Sequence, residues 1–136
     1  MIGYFEVALR LLMASCFGAA VGFEREQRER PAGLRTNMMV SLGAALITIV
    51  SLNGFAGSDP ARVAAGIVTG IGFLGAGTIF KIKDQVVGLT TAATLWTVAA
   101  LGMTIGAGFY VTAIIALPII VGILYLSKFE LRKKSE

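Results

Sequence analysis

The sequence predicts an all-α fold: a polytopic membrane helical bundle of five transmembrane helices, with spans one–two and three–four as two parallel two-helix repeats and a fifth helix after them. Three observations predict it. The 136-residue chain is 56% hydrophobic and 15% charged, against about 25% charged in soluble domains, and its mean hydropathy is +0.80. A soluble fold this small has too much surface for its volume to hide so many apolar side chains. The apolar residues fall into five runs near the roughly 20 residues that cross a hydrocarbon core of about 30 Å. The charges gather in the connections, most densely in "GFEREQRERPAGLRT" at 22–36.

Span one covers 4–23. Glu6 and Arg10 lie four apart on one helical face and can pair. No basic residue precedes Arg10, and only a very short apolar core follows it before "ASC", which argues against a cleaved signal peptide. The helix is expected to run on as a charged extension. In it Glu24–Arg28 and Glu26–Arg30 are acid-first i,i+4 pairs, and Pro31 and Gly33 end it. Thr36 then caps span two, 36–54. Asp59 is the N-cap and Pro60 the first helical residue of span three, 61–80. Span four covers 90–107, with Trp96 as a packing residue. "GAG" at 106–108 makes a tight turn, and Tyr110 anchors the start of span five, 109–127, at the interface. Pro118 should kink that span, which a packed bundle tolerates. Lys128, Arg132, Lys133 and Lys134 form a basic tail. The whole of 1–136 reads as one transmembrane domain with no soluble C-terminal domain.

Charge gives a direction. With five spans, the first loop, third loop and tail share one side and carry ten Lys/Arg: Arg25, Arg28, Arg30, Arg35, Lys81, Lys83 and the four tail residues. The other side has Arg62, plus Arg10 if it snorkels outward. The positive-inside rule puts the N-terminus outside and the C-terminus in the cytoplasm. The net charge of +4 thus reports topology and a lipid bilayer, with no nucleic acid as partner. Lone Cys16 cannot form an internal disulfide, and the chain has no His, which removes the commonest general base. No nucleophile–base pair or metal-ligand cluster appears, so no enzyme and no cofactor are expected, and no metal is specified.

"GLRTNMMVSLGAAL" at 33–46 matches "GLTTAATLWTVAAL" at 88–101 in six of fourteen positions, a step of 55 residues. The same register pairs Gly22 with Gly77, Arg28 with Lys83 and Glu29 with Asp84. Two hairpins of one orientation imply a pseudo-two-fold axis along the membrane normal. The "GL-x-T" corners then meet near it, each opening a helix with unpaired N–H groups and the positive dipole end. Arg25 and Arg35 add charge there, and Glu24 and Asp84 supply oxygens. Such a corner could bind an anion, an ion with a carboxylate or a cytoplasmic partner. It could equally be packing between hairpins, or a solvated loop that only sets topology.

"GIVTGIGFLGAGTIF" holds Gly66, Gly70, Gly72, Gly75 and Gly77. Its "GIGFLG" satisfies a dinucleotide pattern, but it lacks the preceding strand and a correctly spaced acid. Close helix packing is the better reading: small residues let backbones approach in lipid, and their faces point to a homodimer unless the five helices satisfy them alone.

Three blocks, "GFEREQRERPAGLRTNMMVSLGAAL", "DPARVAAGIVTGIGFLGAGTIF" and "VVGLTTAATLWTVAALGMTIGAGFY", resemble the MgtC/SapB family of bacterial inner-membrane proteins. The resemblance runs from Leu11 to about Leu124. It implies a role in magnesium homeostasis and adaptation to low magnesium; some members support survival inside host cells and are thought to restrain the ATP synthase. Longer members carry a soluble C-terminal domain. Glu24, Arg25, Glu26, Arg30, Pro31, Gly33, Leu34, Arg35, Thr36, the 70–77 run, Gly88, Leu89, Thr90 and Thr91 match the family blocks.

The candidate ligand- or partner-binding corner is therefore Glu24, Arg25, Glu26, Arg30, Arg35, Thr36, Asn37, Asp84, Thr90 and Thr91. The leading reading is a membrane protein that binds or regulates a membrane protein partner. The alternative is an ion or small-solute transporter with a path between the two repeats. Such a path would be lined by Asn37, Ser41, Thr48, Thr69, Thr78, Thr94 and Thr97, and no carboxylate sits mid-span to serve a proton or bare magnesium.

Overall fold

The computed structural model describes residues 2–55, 57 and 59–133, with side chains as far as Leu126. Among these, five helices run in the order α1 (Tyr4–Gln27), α2 (Leu34–Gly54), α3 (Pro60–Ala76), α4 (Leu89–Gly106) and α5 (Tyr110–Lys133). Three of them, α1, α2 and α4, are long and apolar enough to cross a membrane. Large apolar side chains point outward along the bundle, from Phe5 at 84% exposure to Phe73 at 86%. Such a surface suits lipid and not water.

The chain is not purely helical. α3 stops at Ala76, short of the expected Phe80, and strands β1 (Phe80–Ile82) and β2 (Gln85–Val87) follow it. They pair antiparallel, Phe80 with Val87 and Ile82 with Gln85. Lys83 and Asp84 make the two-residue turn, with Lys83 at φ +53°. A connection of two residues between alternating segments favours a hairpin. Gly88 closes the ribbon at φ +93°, and a Cβ there would overlap the Thr78 carbonyl, so only glycine fits.

α2 is the central helix, gripped from both sides by glycines. A Cβ on Gly18 of α1 would lie 2.5 Å from the Asn37 carbonyl oxygen, and one on Gly22 would lie 2.7 Å from Leu34 Cα. From α4, Gly102 presses on the Ser41 backbone, and a Cβ on Gly106 would lie 2.6 Å from the Ala45 carbonyl oxygen. Contacts this close supply dispersion energy in a medium where no hydrophobic effect drives helices together. The core mixes alanines with larger aliphatic side chains: Ala14, Ala45, Leu101, Ile105 and Ala113 form one cluster, and Val21, Val98 and Leu124 another.

The glycine run of α3 behaves otherwise. Gly66, Gly70 and Gly72 would meet nothing within 4 Å; Gly75 touches Ala92, and Gly77 is the C-cap. Within the chain this face is open. Gly66 and Gly70 line an apolar groove of about 440 Å³ between α2 and α3. Trp96, expected to pack inside, is 50% exposed and lines a second groove against Ile67 and Val68.

The caps are mixed. Asp59 accepts from the Ala61 N–H at 2.9 Å with Pro60 at the first turn, as expected. α4 ends in a Schellman turn at Gly108, φ +86°, with Phe109 N–H on Thr104 O and Gly108 N–H on Ile105 O. α1 ends earlier than expected, at Gln27 and not at Pro31. Glu29 takes φ +52°, and Arg30 N–H bonds Arg25 O while Glu29 N–H bonds Glu26 O, a second Schellman turn. Thr36 does not cap α2. The N-cap is Gly33 without a side-chain bond of its own. α5 runs through Pro118 as one helix. Lys134, part of the expected tail, lies outside the described residues.

Candidate functional site

Charge is buried at both ends of the bundle. At the end where α4 finishes, Arg10 does not snorkel outward; it is 7% exposed. Its Nη1 donates to Gly106 O at 2.7 Å, its Nε donates to the Tyr110 hydroxyl at 3.0 Å, and its Nη2 pairs with Glu6. Tyr110 in turn donates to Glu6 Oε1 at 3.2 Å. A cation on the last carbonyls of α4 also meets the negative end of that helix. This is a closed network that ties α1 to the α4–α5 corner, and Tyr110 belongs to it.

At the other end, α1 delivers Glu24 and Arg25, 3% and 5% exposed. The helix turns them inward because they continue the buried stripe of Ala14, Gly18 and Val21. Glu24 Oε1 lies 2.5 Å from Arg28 Nε, the expected i,i+4 pair, and Arg28 sits over the Tyr125 ring at 4.9 Å. Apart from that ion pair on Oε1, Glu24 has no hydrogen-bond donor on Oε2 among the described residues. Arg25 Nη2 donates to Thr91 Oγ1 at 3.1 Å across to α4, while its Nε has no acceptor. The charged groups facing Arg25 are Glu24, Arg30 and Arg28, so positive charge is in excess there. Buried polar atoms without partners are costly, and Glu24, Arg25 and Asn37 bring such atoms together at this end.

The α1–α2 turn is held by two further candidates. Glu26 does not pair with Arg30, because α1 has already ended. Its Oε2 instead accepts from the Leu34 N–H at 2.8 Å, giving α2 the cap that Thr36 does not. Asn37 is fully buried, and its Nδ2 donates to Gly33 O at 2.9 Å and to Ala32 O.

A cavity of about 540 Å³ opens beside Arg25. It brings together Arg25, Arg30, Thr90 and Thr91 with Thr78 and Gly88. Arg35 and Thr36 are exposed on the first turn of α2, and Asp84 is exposed at the ribbon tip; none of the three lines the cavity. Thr78, which the sequence suggested only for a conduction path, was not expected at this corner. Its signal was the ribbon itself, since Phe80 and Val87 of the paired strands form the cavity's other wall. No group of three His, Cys, Asp or Glu that could hold a metal occurs among the described residues.

The MgtC family matches residues 11–132. This chain belongs to the MgtC family. Among relatives, "Protein MgtC" of Brucella abortus is 51% identical over 87% of this chain and 50% of its own length. "Protein MgtC" of Salmonella typhimurium is 48% identical over 85% and 50%. An Escherichia coli protein named "Putative magnesium transporter YhiD" is 48% identical over 77% and 53%. The chain spans about half the length of these curated relatives. No solved structure matches it. Family membership and the apolar helices make it a bacterial membrane protein.

Proposed function

We propose that this MgtC-family chain is a non-catalytic inner-membrane protein that serves magnesium homeostasis by binding or regulating a membrane partner through its Arg25 end. One observation carries the reading: Glu24 and Arg25 are buried side by side with unused hydrogen-bonding atoms. By contrast, the charged side chains of α1, α2 and α4 lie toward helix ends, which suits docking better than conduction. In this reading α3 and α5 also cross the bilayer, the Arg25 end is cytoplasmic and the N-terminus is outside. Arg25, Arg28, Arg30, Arg35, Lys81 and Lys83 support that direction against Arg10 and Arg62. The two-repeat arrangement is part of the proposal. Its support is that α2 and α4 begin at Leu34 and Leu89, each directly after an N-cap glycine.

The transporter reading is favoured by one relative's name. Liposomes holding the purified chain decide between the two. No saturable magnesium flux is expected, and a photo-crosslinker at exposed Arg35 should trap a membrane protein in cells. Saturable flux that disappears in Glu24→Ala would overturn the docking reading.

A further inference from the structure

The cavity beside Arg25 has the chemistry of an anion site. α2 and α4 both begin after a glycine, yet their first turns differ. Glu26 places a carboxylate on the Leu34 N–H of α2. Fifty-five residues on, the matching position is Lys81, whose side chain is basic. Gly88 brings α4 no side-chain cap, and no acid stands in its first turn. First-turn N–H groups lack intrahelical acceptors and carry the positive end of the helix dipole. The N-terminus of α4 therefore faces the cavity without the carboxylate that its counterpart has.

A second observation points the same way independently. Arg25, 95% buried by its 5% exposure, lines this cavity; among the described residues its Nε is unpartnered and its Nη2 meets only the neutral Thr91 hydroxyl. Arg30 lines the same space, and among the described residues no acidic one does; Glu24, which faces Arg25, pairs with Arg28. Two guanidinium groups, a free helix N-terminus and the Thr90 hydroxyl make a fork-and-dipole arrangement that matches a tetrahedral oxyanion. At about 540 Å³ the cavity exceeds what one phosphate fills, and its far wall is Phe80, Val86 and Val87 of the ribbon. The ligand then carries a less polar group beyond its phosphate.

We propose that the cavity between Arg25, Arg30 and the N-terminus of α4 binds the phosphate group of a phosphate-bearing molecule, either a soluble phosphate compound or a phospholipid headgroup. The inference rests on the reading of the Arg25 end as a binding surface and names what that surface holds.

The test uses the purified full chain in phosphatidylcholine nanodiscs. Inorganic pyrophosphate is the soluble probe, followed by calorimetry. Phosphatidylglycerol is the lipid probe, followed by native mass spectrometry of copies retained from mixed nanodiscs. At least one probe should bind one-to-one. Thr90→Asp places a carboxylate at the helix N-terminus, which keeps or strengthens the helix, and should weaken that binding by about tenfold or more. Arg30→Gln, on an exposed side chain, should weaken it several-fold, and Lys83→Gln at the ribbon tip should leave it unchanged. Pyrophosphate binding identifies a soluble source, and phosphatidylglycerol retention with inert pyrophosphate identifies lipid. Inertness toward both probes overturns the proposal, as does equal weakening by Lys83→Gln and Arg30→Gln. If Arg35 crosslinking still traps a partner while both probes are inert, this inference alone fails. If the probes bind but no partner is trapped, the functional reading alone fails.

Discussion

Arg10 and Arg25 are the two buried arginines of α1, with 7% and 5% exposure, and they have opposite surroundings. Arg10 has a carboxylate, a carbonyl and a phenol around its guanidinium. Arg25 has one threonine hydroxyl, an unpartnered Nε, and two other arginines against the single carboxylate of Glu24 near it. Burial alone does not distinguish a structural cation from a binding one; the completeness of the donor ledger does. A guanidinium whose hydrogens are spent inside the fold holds helices together. One left incomplete beside a cavity has capacity for a ligand, which is the role proposed for Arg25.

Both sites depend on the frame of α1, α2 and α4, so the largest effect comes from breaking it. Gly102→Leu should prevent folding outright, since even a Cβ there overlaps the Ser41 backbone; the measurement is recovery of monodisperse protein in detergent. The sharpest contrast is Arg10→Gln against Arg25→Gln in denaturant titrations of detergent-solubilised protein. Arg10→Gln strips charge-assisted bonds and should cost about 3 kcal/mol. Arg25→Gln should cost about 1 kcal/mol or less, because removing an under-compensated buried charge offsets the lost bond. Equal losses would erase the distinction. The smallest effect is Tyr110→Phe, which removes the hydroxyl shared by Arg10 and Glu6 and should cost about 1 kcal/mol while leaving pyrophosphate or lipid binding at the far end untouched.

Features set by neighbours in sequence were legible. The Asp59–Pro60 start, the turn at Gly108, and the Glu6–Arg10 and Glu24–Arg28 pairs follow from spacing and turn chemistry. The long apolar helices follow from composition. Features set by distant partners were not. Nothing in the sequence shows that Arg10 meets Tyr110, 100 positions away, or that Arg25 meets Thr91, 66 away. Glycine spacing was visible in α1, α3 and α4 alike, but only the opposing helix decides which glycines are compressed, and it chose Gly18, Gly22, Gly102 and Gly106 over Gly66 and Gly70. The ribbon at 80–87 was hidden because Lys81, Lys83 and Asp84 made the segment after span three read as a charged connecting loop. Within the candidate corner, Arg25, Arg30, Thr90 and Thr91 converge, while Asp84 is carried away on the ribbon tip that the sequence did not disclose.

The two arginine contacts also act as a ruler. Arg10 and Arg25 are fifteen residues apart on α1, and their α4 partners, Gly106 and Thr91, are fifteen apart in the reverse direction. Antiparallel rods of equal rise, about 1.5 Å per residue, meet both marks in one alignment only. Sliding either rod by a single residue would also rotate it by about 100° and miss both marks together, so this pair of helices has one admissible register, written into the chain at its two extremities.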